Sequence, residues 1–171
     1  MGERKSYPHH QSPFFCLHNK RKLAGLLGLS LGALKRISKQ SDSFYREWDE
    51  VNEKGKKRHI EDPTNTLKRI QKKIARLLSQ IAPPDFLTCP VKGRSYVSNA
   101  AQHKDAIEVH TLDITEYFPS TTAKRVYWFF NKMMRCSPDV AGTLTALSTL
   151  REHLPTGSPL SPILAFFAHY D

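Results

Sequence analysis

The longest periodic run of apolar positions falls between residues 62 and 82. Leu67, Ile70, Ile74, Leu77, Leu78 and Ile81 recur at three- and four-residue steps, which predicts a helix with one apolar, core-facing side. Asp62 is placed to cap it, Pro63 suits its first position, and Pro83–Pro84 ends it. Lys68, Arg69, Lys72, Lys73 and Arg76 cover much of the rest of its surface. Upstream, Leu23, Ala24, Leu26 and Leu27, then Leu31, Leu34 and Ile37, predict a small helical region, with Ser30 available to cap its second part. The Phe-Tyr-Arg-Glu-Trp run at 44–48 predicts a strand. Gly55, in Glu-Lys-Gly-Lys-Lys-Arg-His-Ile at 53–60, permits the positive φ of a hairpin turn. Residues 1–19 read as an irregular arm that docks through Phe14 and Phe15.

Downstream, the second half of the 85–105 connection predicts a short helix, and Ile107, Val109 and Leu112 predict a strand that leads into Asp113. Thr121 or Thr122 caps a helix through Val126, Phe129, Phe130 and Met133. Ser137–Pro138–Asp139 opens another, with Val140, Ala141, Leu144, Leu147 and Leu150 inward. Pro155 and Gly157 break the chain, and a last helix starts near Ser161–Pro162 and runs through Ile163, Leu164, Phe166 and Phe167. Strands separated by helices and long connections predict an α+β fold.

Composition narrows the class. The 171 residues suffice for a real core, and the 39% apolar content becomes ordinary once glycine is counted. No apolar run approaches the ~20 residues that span a bilayer, and no secretory signal is evident. Cys16, Cys89 and Cys136 are widely spaced and form no Cys-x-x-Cys pair, which argues against zinc and disulfides and for a reducing cytoplasm. The net charge of +10 is carried by residues 1–76, which hold 18 of the 26 Lys/Arg and 8 of the 16 Asp/Glu. A basic half joined to a balanced half points to a polyanionic partner. The basic residues face no broad apolar surface with Trp or Phe, so a membrane is the weaker partner.

Candidate chemistry gathers in the second half. An acid at the end of a buried strand is costly unless paired or bound to a cation, and Asp113 occupies such a position. The neighbouring Ile114 can add a backbone carbonyl, a hard oxygen donor suited to Mg²⁺. Nucleotidyl transfer by two metals needs two or three carboxylates, and Glu116 is not counted as one. Phe118, where the chain leaves the strand, is either a core residue or a flat ring beneath an incoming sugar that rejects a 2′-hydroxyl. Lys54 and Arg58 on the hairpin suit a triphosphate. Lys68, Arg69, Lys72 and Lys73 form either a solvated face or one laid along a nucleic-acid backbone, and Lys92 and Arg94 suit template phosphates. Gly157 would let backbone approach a base pair.

Seven motifs then stand in a recognisable order: Leu-Gly-Leu-Ser, Lys-Gly-Lys-Lys-Arg-His-Ile, Asp-Pro-x-x-x-Leu-Lys-x-Ile-Gln, Lys-Gly-Arg-Ser, Asn-Ala-x-x-His, Leu-Asp-Ile-x-x-Tyr-Phe-Pro-Ser and Leu-Pro-Thr-Gly-Ser-Pro-x-Ser-Pro. Across residues 23–171 the chain resembles the bacterial reverse transcriptases of the retron and group II intron-like lineage, retrons above all. The resemblance implies a right-hand polymerase: an arm at 1–22, fingers at 23–106, the beginning of a palm at 107–171, and no thumb. It implies RNA-directed DNA synthesis from dNTPs with Mg²⁺, or Mn²⁺ in its place. The partners it implies are a template or structured non-coding RNA, nascent DNA and an effector protein in anti-phage defence. Asp113 takes the place of the first catalytic aspartate and Ile114 that of the carbonyl ligand. Phe118 matches the sugar gate, and Arg58 with Lys54 matches the triphosphate-binding pair. Thr156–Gly157 matches the loop against the nucleotide, where many relatives carry Gln instead of Thr. The family's Tyr-x-Asp-Asp turn is absent, since the chain has no Asp-Asp pair. The expectation is therefore that this chain is inactive alone. The alternative is a non-catalytic RNA-binding fragment or one half of a split polymerase.

Overall fold

Side-chain oxygens open the first two helices. Asn19 Oδ1 accepts from Arg21 N at 2.7 Å to start α1 (Lys20–Leu27), and Ser30 Oγ accepts from Ala33 N at 3.1 Å to start α2 (Leu31–Lys39). Gly28, at φ 66°, closes α1 in the left-handed region. This computed structural model describes residues 6–51, 53, 55, 57–89, 91 and 93–170. A 3₁₀ turn at Ser41–Phe44 leads into an antiparallel hairpin of β1 (Tyr45–Val51) and β2 (Lys57–Pro63). Its register sets Tyr45 opposite Pro63 and Val51 opposite Lys57, and Gly55 has φ 75° in the turn region.

The long amphipathic helix follows as α3 (Asn65–Leu78), with Leu67, Ile70, Gln71, Ile74 and Leu78 buried. It starts later than Asp62–Pro63 predicts, with Thr64 at the N-cap position. Both residues belong to β2 instead. The ladder continues one residue further, because Thr64 N donates to Phe44 O at 2.7 Å. The Asp62 carboxylate, rather than capping, pairs with Lys68 Nζ at 2.6 Å.

The remaining elements are α4 (Tyr96–Ala101), α5 (Tyr117–Ser120), α6 (Ala123–Trp128), a π turn at Phe129–Met133, α7 (Pro138–Ser148) and α8 (Ser161–Ala168). Thr122 caps α6 through Arg125 N. The helix predicted to run to Met133 widens at its end, where Met134 N reaches Phe129 O at 2.9 Å. Phe129 and Phe130, consecutive in sequence, are both fully buried there. The predicted strand at 107–112 does not form. Residues 107–114 are irregular and exposed, with Leu112 at 98%. A strand needs a neighbour for its backbone groups, and among the described residues the one sheet contains β1 and β2 alone.

The core is one cluster drawn from Phe14 through Ala168. The N-terminal arm is part of it, as its aromatics suggested. Phe14 is fully buried, its ring edge-on to Phe130. Cys16 N donates to Met134 O at 2.9 Å, and Ser137 N to Leu17 O at 3.2 Å. Burial pushes the Cys136 thiol up to about 11, so it acts as a small apolar group that donates to Phe14 O. No helix among the described residues is long and apolar enough to cross a membrane.

One buried polar group ties four segments together. Gln71 Nε2 donates to Tyr45 Oη at 2.8 Å and to Leu147 O at 3.0 Å, while Oε1 accepts from Ser158 Oγ at 2.8 Å. Burial holds the Tyr45 hydroxyl above its ordinary value. Gln71→Leu preserves volume but strands the Leu147 carbonyl and removes an acceptor from Ser158. At about 1–3 kcal/mol per orphaned group, and roughly 2–4 °C per kcal/mol, thermal unfolding followed by circular dichroism should show a Tm lower by several degrees.

Candidate active site

The hairpin register creates an electrostatic problem. It places Glu47 directly opposite Glu61, and Asp49 opposite His59, so all four side chains share one face. Like charges facing each other destabilise a sheet. The partners of the two glutamates come from a tight turn after α7. Leu150 N and His153 O are 2.9 Å apart, His153 N and Leu150 O 3.0 Å, and the two residues between, Arg151 and Glu152, have φ of 44° and 73°. Left-handed backbone is strained for residues with a side chain. The turn aims Arg151 at Glu47, where Nη1 and Nη2 meet the two carboxylate oxygens at 2.9 and 2.6 Å. It also brings His153 Nε2 to 2.8 Å from Oε1 of Glu61, which is buried.

His59 completes the network, with Nδ1 at 2.7 Å from Asp49 Oδ1 and Nε2 at 3.2 Å from Glu47 Oε2. Its hydrogen bonds to Asp49 and Glu47 raise its pKa, and the His59 bond, then Arg151, lowers that of Glu47. Glu47, His59 and Glu61 offer ligand atoms within 4.8 Å of one another. In this arrangement Arg151 and His153 already engage both glutamates.

The loop after this turn covers the free edge of β2. Thr156 Oγ1 accepts from Glu61 N at 3.1 Å and donates to His59 O at 2.9 Å, Thr156 N donates to Glu61 Oε2 at 3.2 Å, and Gly157 N donates to Glu61 O at 3.2 Å. An unpaired strand edge is thereby closed. The sequence suggests that Gly157 leaves room for a base pair. What it lies against here is β2: a Cβ on Gly157 would stand 2.8 Å from Glu61 O. Ser161 Oγ donates to Pro155 O at 2.7 Å, fastening the loop to the start of α8.

Arg58 is exposed on β2 opposite Glu50, on the face away from Glu61. Lys54 and Lys92 lie outside the described residues. Phe118 is half-buried in α5, packed against the edge of the core with its ring 5.8 Å from Tyr117. Asp113 and Ile114 are exposed, just before Glu116, whose φ of 50° turns the chain into α5. Their oxygens are the right kind for Mg²⁺, but among the described residues Asp113 joins no group of three metal-ligating side chains. The donor set is therefore incomplete. Arg69 and Lys72 are exposed on α3 and Lys68 pairs with Asp62. Lys73 is half-buried beside Gly28, at the negative end of α1: its Nζ would stand 2.7 Å from a Cβ there. Arg94 Nη1 donates to the carbonyls of Pro84, Asp85 and Leu87 at 2.7, 2.9 and 2.6 Å, holding that loop closed.

The sequence reading missed Glu47, Glu61, Gln71, Arg151 and His153. A signal existed in part: Glu47 and Asp49, then His59 and Glu61, are spaced two apart on paired strands. Once Gly55 sets the register, two glutamates meet and require a cation. Nothing local identifies Arg151, which is 104 residues from Glu47.

No family model matches the chain. It is similar to the retron Se72 reverse transcriptase of Salmonella heidelberg, 38% identical over 145 residues, covering 84% of this chain and 38% of that protein. It is also similar to the retron Ec86 reverse transcriptase of Escherichia coli, at 28% over 153 residues, covering 87% of this chain and 47% of that protein. The retron Mx162 reverse transcriptase of Myxococcus xanthus is 29% identical over 144 residues, covering 81% and 29%. Over about four fifths of its length or more the chain is similar to these retron reverse transcriptases of bacteria. It spans less than half the length of these relatives.

Proposed function

We propose that this chain forms the fingers and the first part of the palm of an RNA-directed DNA polymerase that adds dNTPs to a 3′-hydroxyl on an RNA template. In this reading residues 1–22 are the arm, 23–106 the fingers and 107–171 the beginning of the palm. The supporting observation is the seating of the Thr156–Gly157 loop on the hairpin, which joins two motifs 95 residues apart. It sets the loop that would face the nucleotide against the strand that carries Arg58.

Arg58, with Lys54, receives the triphosphate. Phe118 lies beneath the sugar. Lys68, Arg69, Lys72 and Lys73, with Lys92 and Arg94, follow the RNA backbone. Asp113 and the Ile114 carbonyl would contribute two oxygens toward a pair of Mg²⁺ ions, of which one would activate the 3′-hydroxyl and the other would stabilise the departing pyrophosphate. Carboxylates in addition to Asp113 complete that site.

Primer extension on an RNA template with dNTPs tests the reading in the complete protein. Phe118→Ala should raise ribonucleotide incorporation relative to dNTPs by about tenfold or more, as expected when a pocket loses a contact that excludes one group. An unchanged preference removes Phe118 from this role. RNA affinity should fall linearly in log–log plots against salt, and a flat line makes the basic face a solvated one. A second reading, RNA binding without catalysis, is favoured by Asp113 joining no group of three metal-ligating side chains among the described residues. It predicts salt-sensitive binding with no extension.

A further inference from the structure

We infer that Arg151 and His153 are positioning residues: they latch the hairpin to the Thr156–Gly157 loop and so set where Arg58 meets an incoming nucleoside triphosphate. The inference rests on the polymerase reading above.

The hairpin is pinned at two levels. At its base, Tyr45 Oη is held by Gln71 and Thr64 N by Phe44 O. Two residues further out, Glu47 is held by Arg151, and opposite it Glu61 is held by His153 and Thr156. Beyond that level, residues 48–51 and 57–59 are exposed, and the latched loop makes one more bond there, from Thr156 Oγ1 to His59 O at 2.9 Å. Two pins define the tilt of a rod, and here the outer pin is the latch.

The geometry amplifies small errors. At about 3.3 Å per residue, Glu47 lies roughly 7 Å from Tyr45 along β1, while Glu50, opposite Arg58, lies roughly 16 Å away. A shift of about 1 Å at the latch therefore becomes about 2.5 Å at Arg58. Misplacement of that size is enough to break a charged hydrogen bond from Arg58 to a triphosphate and so weaken binding.

The latch is also built against its own backbone preference. Arg151 and Glu152 are exposed, so core packing does not explain why both are left-handed. Strain of this kind persists where surrounding contacts enforce it. Those contacts include the two-pronged Arg151–Glu47 pair and the His153–Glu61 pair, which end on the hairpin, together with the reciprocal Leu150–His153 bonds and Ala123 N, which donates to Glu152 O at 2.7 Å. The groups facing the junction are Glu47, Asp49, His59 and Glu61 from the hairpin and Arg151 and His153 from the turn. Glu47 and Glu61 would repel each other if the turn withdrew.

The test is steady-state dNTP incorporation by the complete protein, with Asp113→Ala as the inactive control. Arg151→Ala should raise the dNTP KM about tenfold and leave kcat within about twofold, because the triphosphate site is displaced before chemistry begins. Glu47→Arg should do the same. The double variant Glu47→Arg/Arg151→Glu should bring KM back near its original value, a rescue that simple destabilisation would not give. A KM unchanged in Arg151→Ala, with the control inactive, overturns the inference, as does failure of the double variant to recover. If the unsubstituted protein extends no primer, the polymerase reading itself has failed, and amide hydrogen exchange then judges the latch. Faster exchange at Glu61, Thr156 and Gly157 in Arg151→Ala supports it, and unchanged exchange overturns it.

Discussion

Asp113→Ala should lower dNTP incorporation by the complete protein at least about a thousandfold, equivalent to about 4 kcal/mol of barrier, while RNA affinity stays within about twofold. The size follows from the role: an acidic oxygen that helps hold a catalytic cation stabilises developing charge by several kcal/mol. The specificity follows from the position. Asp113 is exposed, in an irregular segment, outside the hydrogen bonds that join the hairpin to the loop. Its removal opens no cavity and breaks no core contact, so loss of activity would report chemistry rather than unfolding. Primer extension in Mg²⁺, run beside an RNA-binding titration, separates the two. Retained extension would remove Asp113 from catalysis.

Gly157→Ala should destabilise the fold by roughly 2–4 kcal/mol, combining overpacking with a lost hydrogen bond. The added methyl would stand 2.8 Å from Glu61 O, 3.0 Å from Asp62 Cα and 3.1 Å from Glu61 C, all backbone atoms of β2. No side chain can rotate away to admit it. The loop must retreat, which breaks the Gly157 N–Glu61 O bond of 3.2 Å and loosens both bonds of the Thr156 hydroxyl. Gly142→Ala is the matched control. It lies inside α7 with nothing within 4 Å of a new Cβ, and should be neutral or stabilising by up to about 1 kcal/mol. Denaturant unfolding of both variants measures the difference, and equal stability would mean that the loop does not rest on the strand.

Much of the secondary structure was legible because its causes are local. The apolar steps of α3, the cap at Ser30, the Ser-Pro-Asp start of α7 and the glycine in the hairpin turn each act within a few residues. The start of α3 was misread at Asp62–Pro63, since a strand ladder from Tyr45 competes for those residues and wins. Residues 107–112 have strand-like apolar positions, but a strand is a relation between two segments, and no described segment pairs with this one. The family was legible from motif order, and the similarity to retron reverse transcriptases bears it out. The junction between hairpin and loop was not. Glu47, Arg151, Glu61 and His153 are ordinary charged residues until the fold makes two glutamates face each other.

The seat of Phe14 bears on the order in which the molecule assembles. The thiol that meets its carbonyl belongs to Cys136, 122 residues later, and the arm's other partners include Gln80 and Met134. During synthesis this segment thus emerges well before the residues that hold it. Until the π turn has been made, Phe14 has no pocket. Contacts this distant in sequence slow folding and lengthen the exposure of apolar surface, so a nascent chain would carry an uncovered phenylalanine until Phe130, Met134 and Cys136 have been made.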